Sequence, residues 1–546
     1  MKKRIQLSIL LITINFALKA QTLPVGMPVL EEYTRRAQLT GDTTYLASHM
    51  MRPLFNPHTN PRIAELKLLP VIWKQHYTTD HPMSLNDGAM IPARGYQTLL
   101  SAGVFARYGI FSVQLMPEFV YAANTPFDGF PDALNDKMWQ VYNSVKNDID
   151  LPDRFGNEPY RKLFWGQSSA RITFRALSFG ISTENLWWGP GMKNTLLMTN
   201  NAPGFAHLTF NTVRPIKTPI GSFEGQIIGG RLEASGFPGV DTARLAGRGL
   251  KANTKRDDWR YLNAMTLSYQ PRWLPGLVLG VSRSFTLYGG DINSGYRTWF
   301  PLFEPILKKE VGGEVADTIA SDQVASAYVR WLMPESNSEV YFEYGRGDHS
   351  WDFTDLALEP DHYRAYVVGF RKMVPLTKRK GEYLDIQTEL TVLNRNLVSS
   401  LRKKNSPAVW YVHGRVQHGY THMGQILGSG IGPSGNMQTA SLSWVRGMKR
   451  LGIELLRYAH DEDFWAYSSQ VTGYGDYRTH WVDVGATLLA DWHYQNFLIG
   501  AKLSTVGSIN YMFHYDPIPS DPPFWWDRGA IRWNGRLEVS LAYLLR

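Results

Sequence analysis

The chain has no cysteine among its 546 residues. Disulfides, thiolate metal centres and a lipidated N-terminal cysteine are therefore all excluded. Beyond the extreme N-terminus there is also no run of ~18 uncharged apolar residues, so no helix can span a bilayer. The patterns G-x-S-x-G, H-E-x-x-H and G-x-x-x-x-G-K-[ST] are missing, and with them the usual signatures of a serine hydrolase, a zinc protease and a P-loop. A strong excess of one charge is missing as well. The formal net charge of +9 falls to +5 once Lys2, Lys3, Arg4 and Lys19 are removed with residues 1–20, too little to argue for nucleic acid as a partner.

What the chain does have begins with a secretory signal over residues 1–20. Lys2, Lys3 and Arg4 precede an apolar Ile5–Leu18 segment, and Ala20-Gln21 offers a cleavage point. An exported chain without a helical span reaches a membrane as a β-barrel or not at all. Aromatic residues make up 13% of the sequence, with 28 Tyr and 18 Trp, which suits an interfacial girdle or a glycan-binding surface.

Residues 21–65 read as helical. Pro28 to Leu39 places Val29, Leu30, Tyr33 and Ala37 on one face, with proline at the start and Gly41 beyond the end. A second short helix is expected from Thr43 to Met51. Both are too short to be stable alone, so the segment is expected to pack on the rest as a small periplasmic cap.

From Leu66 to Arg546 the pattern has period two. Tyr383 to Val392 sets Leu384, Ile386, Leu390 and Val392 on one face and Asp385, Gln387 and Glu389 on the other; Ser338–Tyr344 and Gly535–Leu545 repeat it. Links between strands alternate in length. Short ones fall at 107–109, 271–275, 334–337, 446–450 and 491–496. Long ones fall at 79–94, 122–166, 188–205, 236–258, 289–321, 348–361, 395–436, 461–478 and 511–529. A soluble sandwich has no reason to put every long loop at one end. The pattern predicts an all-β fold: a transmembrane antiparallel barrel of about 18 strands, long loops extracellular. The chain closes on Leu544-Leu-Arg546 instead of the usual terminal aromatic, a role that Tyr543 is expected to fill.

One stretch stands apart, Ser182 to Gly204. Trp187 and Trp188 abut Gly189-Pro190-Gly191, which cannot continue a strand, and Asn194, Asn200 and Asn201 follow. Indole faces beside side-chain amides suit a sugar, whereas an interfacial girdle followed by a turn is the plainer alternative. If the preceding strand runs on, Trp187 faces outward and Trp188 inward, which would make Trp188 the stacking platform.

Trp187-Trp-Gly-Pro-Gly191, then Asn200-Asn-Ala-Pro203, and a second patch from Tyr420 to Pro433 resemble the signature of the Wzi capsule-assembly family. The resemblance implies a large outer-membrane barrel that binds capsular polysaccharide at the cell surface, and it raises Tyr420 and His422 as ligand contacts within a glycine-rich loop that otherwise reads as a lumen plug.

The remaining candidates are weaker. Arg171, Arg175 and Glu184 are expected to face the lumen as an ion-pair ladder, or to meet an anionic glycan. His413, His418 and His422 do not read as a metal site, since extended backbone would hold His418 and His422 roughly 13 Å apart. Glu339 and Glu343 could mimic a glycosidase pair, although inward acids are ordinary in barrels. The expected function is that of a non-enzymatic outer-membrane lectin, without cofactors, that anchors or organises capsular or exopolysaccharide. Its expected partners are that polysaccharide, outer-membrane lipid and the capsule export machinery. A sugar-specific or diffusion porin is the first alternative and an outer-membrane hydrolase the second.

Overall fold

The computed structural model describes residues 22–41, 47–55, 64–293, 295–303, 321–347, 357, 363–376, 381–395, 410–473, 477–517 and 529–545. The signal segment 1–20 and part of the expected second helix lie outside them.

The strands run β1 (Glu65–Leu68 and Val71–Thr78), β2 (Gly95–Ser101 and Val104–Tyr108), β3 (Phe111–Leu115 and Glu118–Ala122), β4 (Tyr160–Phe164 and Ser169–Phe174), β5 (Leu177–Ser182) and β6 (His207–Thr212 and Ile216–Thr218). Then follow β7 (Gly221–Leu232), β8 (Arg260–Pro271), β9 (Leu277–Tyr288), β10 (Ser321–Met333), β11 (Ser338–Gly347) and β12 (Arg364–Pro375). The last are β13 (Glu382–Val392), β14 (Asn436–Arg446), β15 (Lys449–Ala459), β16 (Val482–Tyr494), β17 (Phe497–Ile509) and β18 (Ile531–Tyr543). Five strands are interrupted, and Pro70, Pro117 and Pro215 lie in three of the gaps, where a missing N–H breaks the ladder.

Each strand pairs antiparallel with its sequence neighbour, and β18 returns to β1 with Arg536 opposite Thr78 and Tyr543 opposite Val71. The described strands thus close a barrel of eighteen, as the link pattern predicts. One boundary differs. The expected loop 122–166 contains the first half of β4, whose Tyr160–Phe164 ladder on β3 is too short and too interrupted to stand out as a strand.

The two faces separate as the alternation requires. On β13, Asp385, Gln387 and Glu389 are buried in the lumen, while Val340, Phe342, Val368 and Phe370 on neighbouring strands face outward. Tyr108, Trp273 and Tyr494 lie exposed at the short-turn end and Trp533 at the other, a girdle at both rims.

The lumen is filled by the chain itself. Helix α1 (Pro28–Leu39) begins with proline, and Glu31 in its first turn accepts from the Gly26 and Met27 amides at 2.6 and 3.0 Å. Val29, Leu30 and Tyr33 pack with Leu498, Ala542 and Leu544. The opposite face is charged and meets a charged wall. Arg35 donates to Glu339 at 2.7 Å, and Arg371 bridges Glu32 at 2.8 Å and Asp385 at 2.7 Å. The segment therefore sits within the barrel, bonded to the strands. Of the expected second helix, the described residues are not helical: 47, 49 and 50 are bends and Met51-Arg52 is extended.

At the long-loop end, α2 (Asp136–Asn147), capped by Asn135, and α4 (Glu462–Thr472) form a roof with α3 (Thr242–Gly247) between them in sequence. Phe130, Trp139, Tyr142, Phe464 and Phe513 make its core.

Candidate functional site

Strand β5 ends at Ser182, and the chain then turns inward, so Trp187 and Trp188 do not alternate across a barrel wall. They pair with Arg52 and Met51 as a two-residue ladder inside the lumen. Trp188 is fully enclosed, its indole N–H donating to Gln226 at 3.0 Å, among Leu196, Leu197, Met198 and Ile228. Trp187 carries the Arg52 guanidinium on its face, 4.2 Å from the ring centroid. The glycines are required by the fold-back: a Cβ on Gly191 would lie 1.7 Å from the Asn194 carbonyl oxygen. Glu389 of β13 then anchors the turn by accepting from the Met192 and Asn194 amides at 2.6 and 2.8 Å.

The other expected contacts divide. Asn200 donates to the Asn86 carbonyl at 2.9 Å and Asn201 to the Ile426 carbonyl at 3.1 Å, and both border a pocket. Asn194 is enclosed, accepting from the Ser429 hydroxyl at 2.7 Å. Tyr420 is enclosed and stacks on Tyr411 with centroids 5.8 Å apart. His422 is enclosed, its Nδ1 accepting from the Glu233 amide at 3.0 Å, and burial pushes its pKa down to about 3. Within the glycine-rich loop, a Cβ on Gly428 would lie 2.4 Å from the Leu196 carbonyl oxygen. The two sequence patches that carry the family resemblance are thus packed against each other.

Arg171 and Glu184 form a fully buried ion pair at 2.6 Å in the lumen. Arg175 does not join them. It occupies the tight β4–β5 turn with φ 54° and is exposed, since a turn residue leaves the period-two pattern that would point it inward. Glu339 is shared by Arg35 and Arg330, and Glu343 accepts from the Leu196 amide at 3.2 Å, so both acids of the supposed pair are structural. His418 meets the Tyr288 hydroxyl at 2.9 Å and His413 accepts from the Val416 amide, so the three histidines do not converge.

Beside the plug lies a pocket of about 530 Å³ that reaches from α1 to the roof along β14–β18 and β1. Its upper wall is aromatic. Tyr458, His460 and Trp481 form a continuous stack with centroid separations of 3.7 and 3.6 Å. Asp483 fixes the stack, accepting from the Trp481 indole at 3.1 Å and pairing with His460 at 2.8 Å. Tyr511 packs edge-on to Trp481 at 5.1 Å. Burial also raises the Asp461 carboxyl at this end well above the usual carboxylate range. The lower wall is polar, with Lys193, Glu454, Arg450 and Asp491 among its groups. Sequence reading missed Tyr458, His460 and Trp481, which lie across a loop from one another in no motif; only their aromatic density near the ends of β15 and β16 could have drawn attention. At the other side of the pocket His76, Asp87 and Glu538 approach within 4.8 Å of one another. Arg536, 2.7 Å from Asp87 and 3.1 Å from Glu538, already supplies the cation there.

A closed eighteen-stranded barrel, apolar outside and plugged by its own chain beside a large pocket, is an outer-membrane-type β-barrel built differently from an open pore. The chain belongs to the Wzi capsule assembly protein family, whose model matches residues 74–497. Among solved structures, it is similar in fold to Wzi of Escherichia coli, described as an outer membrane protein involved in group 1 capsule assembly and a carbohydrate-binding β-barrel. That likeness has a TM-score of 0.59 at 10% identity and covers 96% of this chain and 100% of that one. OccAB3 of Acinetobacter baumannii matches with a TM-score of 0.39 at 10% identity, covering 88% and 99% of the two chains. No curated protein sequence matches significantly.

Proposed function

We propose that the protein is a surface lectin of the outer membrane that binds and anchors or organises capsular or extracellular polysaccharide. The long-loop end faces outward, the short turns and α1 lie on the periplasmic side, and residues 1–20 are removed on export. The observation that carries this reading is the roofed pocket, in which an aromatic wall and a hydrogen-bonding wall face each other across about 530 Å³, a volume suited to a ligand of a few sugar rings. Family membership, and the carbohydrate binding described for the E. coli barrel of the same fold, support it.

Tyr458, His460, Trp481 and Tyr511, with Trp187, Asn200 and Asn201 at the pocket's inner side, meet the glycan. Trp188, Asn194, Tyr420 and His422 brace the plug that shapes the pocket. Removing Trp481 by substitution with alanine is expected to shift polysaccharide from the cell-associated to the shed fraction at matched barrel levels. A variant that keeps its coat as well as the parent would move the lectin site away from the pocket. The porin alternative is disfavoured by the apolar cluster of Trp188, Trp410, Tyr411 and Ile426 within the lumen, and a steady open conductance in planar bilayers would restore it.

A further inference from the structure

The rim formed by the short turns carries an unbalanced charge over one arc. Arg175 stands in the β4–β5 turn, Arg214 in the gap of β6 and Arg272 in the β8–β9 turn, all exposed, and Lys217 adds a fourth exposed cation on β6. Backbone bonds set these turns side by side. The Val213 amide donates to the Ala176 carbonyl at 2.9 Å, and the Arg272 amide to the Ile220 carbonyl at 3.1 Å. Among the described residues no ion pair reaches any of the four, and the links 175–176, 213–221 and 272–276 contain neither Asp nor Glu. The long-loop end is arranged differently. There Arg244 meets Asp132, Arg248 meets Asp136 and Arg256 meets Asp291, each at 2.8 Å.

Neighbouring strands lie about 4.8 Å apart, which spaces the three turns by roughly 7 and 12 Å along the rim. That is comparable to the Debye length of about 8 Å at physiological salt, so the fields of the cations overlap. Beside them the surface is apolar. Phe174, Ile220 and Trp273 are 63%, 52% and 64% exposed. The Arg175 guanidinium carbon lies 5.3 Å from the Phe174 ring centroid, and Trp273 lies 6.5 Å from Tyr269, which stacks on Phe223 at 4.8 Å. A soluble acidic partner would cover the charges and leave these rings in water. A bilayer takes both, because the rings enter its boundary and the arginine stems lie along them with their guanidinium groups among the headgroups.

We propose that this arc of the short-turn rim binds anionic phospholipid headgroups, of the phosphatidylglycerol class, in preference to zwitterionic ones. A guanidinium fork matches the two free oxygens of a phosphodiester. Both kinds of lipid offer that phosphate, and the preference arises from the net charge that four uncompensated cations attract. The inference stands on the rim alone, and the orientation proposed above then places it in the periplasmic leaflet.

The test uses the full-length barrel in micelles holding equal amounts of phosphatidylglycerol and phosphatidylcholine, and native mass spectrometry counts the lipids that stay bound. The parent is expected to retain the anionic lipid in at least about threefold excess, an excess that shrinks as salt rises. Combining Arg175→Gln, Arg214→Gln, Lys217→Gln and Arg272→Gln is expected to bring the ratio close to one while heat-modifiable migration on gels stays normal. Lys137→Gln with Lys251→Gln removes two exposed cations from the long-loop end and is expected to leave the ratio unchanged. If the combined variant does not fold, Arg214→Gln and Arg272→Gln taken singly must each lower the ratio. Equal retention of the two lipids by the parent, or a ratio that survives the substitutions, would overturn the proposal and leave the arc to an acidic protein. A ratio lost equally in the long-loop control would mean attraction to total charge, which overturns it too. None of these outcomes bears on the lectin reading, since the pocket is unaltered in every variant.

Discussion

Arg52 lies over Trp187, its guanidinium carbon 4.2 Å from the ring centroid, while its Nη1 holds Glu31 at 2.5 Å. One side chain thus ties the N-terminal helix to the Trp187–Trp188 stretch. Arg52→Ala removes the stacking and leaves the half-buried Glu31 without its cation. The expected cost is about 3 kcal/mol, at the lower end of the range for breaking a buried pair. The urea midpoint of the heat-modifiable barrel measures it, and an unchanged midpoint would show that the tie is dispensable.

Trp188 and Trp481 should behave oppositely. Trp188 is fully buried with its N–H bonded to Gln226, so Trp188→Ala is expected to cost roughly 3–5 kcal/mol and to lower barrel yield. Trp481 is only partly covered and lines the pocket, so its loss should spare folding and release polysaccharide. Thermal shift and cell-associated polysaccharide, read for both variants, separate bracing from binding. Equal effects on both readouts would contradict the division.

Acid should loosen the plug through His422. Burial holds its pKa at about 3, below the ordinary value, and the neutral ring accepts from the Glu233 amide. As pH falls from about 6.5 the unfolded chain takes up a proton that the folded one refuses, so stability is lost between about pH 6.5 and 3. Between pH 7 and 4.5 the parent should lose about 2–3 kcal/mol more than His422→Gln. Parallel pH profiles for the two proteins would refute this.

Deleting residues 27–51 should leave a closed barrel. Arg371–Asp385 and Arg330–Glu339 are pairs between wall strands and persist without α1. Small-solute permeability should rise because the lumen loses its helix. A deletion variant that never inserts into the outer membrane would make the helix part of the barrel's foundation.

An epitope placed at Gly249, an exposed position in the long loop between β7 and β8, should be reached from outside intact cells, while one at Ser336 in the short β10–β11 turn should not. Labelling at Ser336 alone would invert the molecule. The loop positions 311–317, also expected outside, lie beyond the described residues.

Strand number, inward acids and long-loop spacing could all be read from the sequence, because a barrel wall writes its two environments into alternate residues. Asp385 and Leu384 show their faces without any neighbour. The plug could not be read this way. Trp188, Asn194 and His422 look like ligand contacts in isolation, since nothing local reveals that the chain turns inward after Ser182 and buries them against segments more than 130 residues away, such as Met51. The same holds for the pocket, whose aromatic wall joins Tyr458 to Trp481 across the roof helix α4.

The shared carboxylate of Glu339 also sets an order of assembly. Arg35 stands 304 positions before it in the chain, and Arg371 stands 339 positions after Glu32. The N-terminal segment emerges first, yet its docking partners on β10–β13 follow 304 to 339 positions later, so those contacts carry a large loop-closure cost and form late. Until then its helix is too short to hold its own shape. The segment must therefore wait unstructured at the growing mouth and be enclosed as β18 meets β1, which makes its docking a seal on a finished wall.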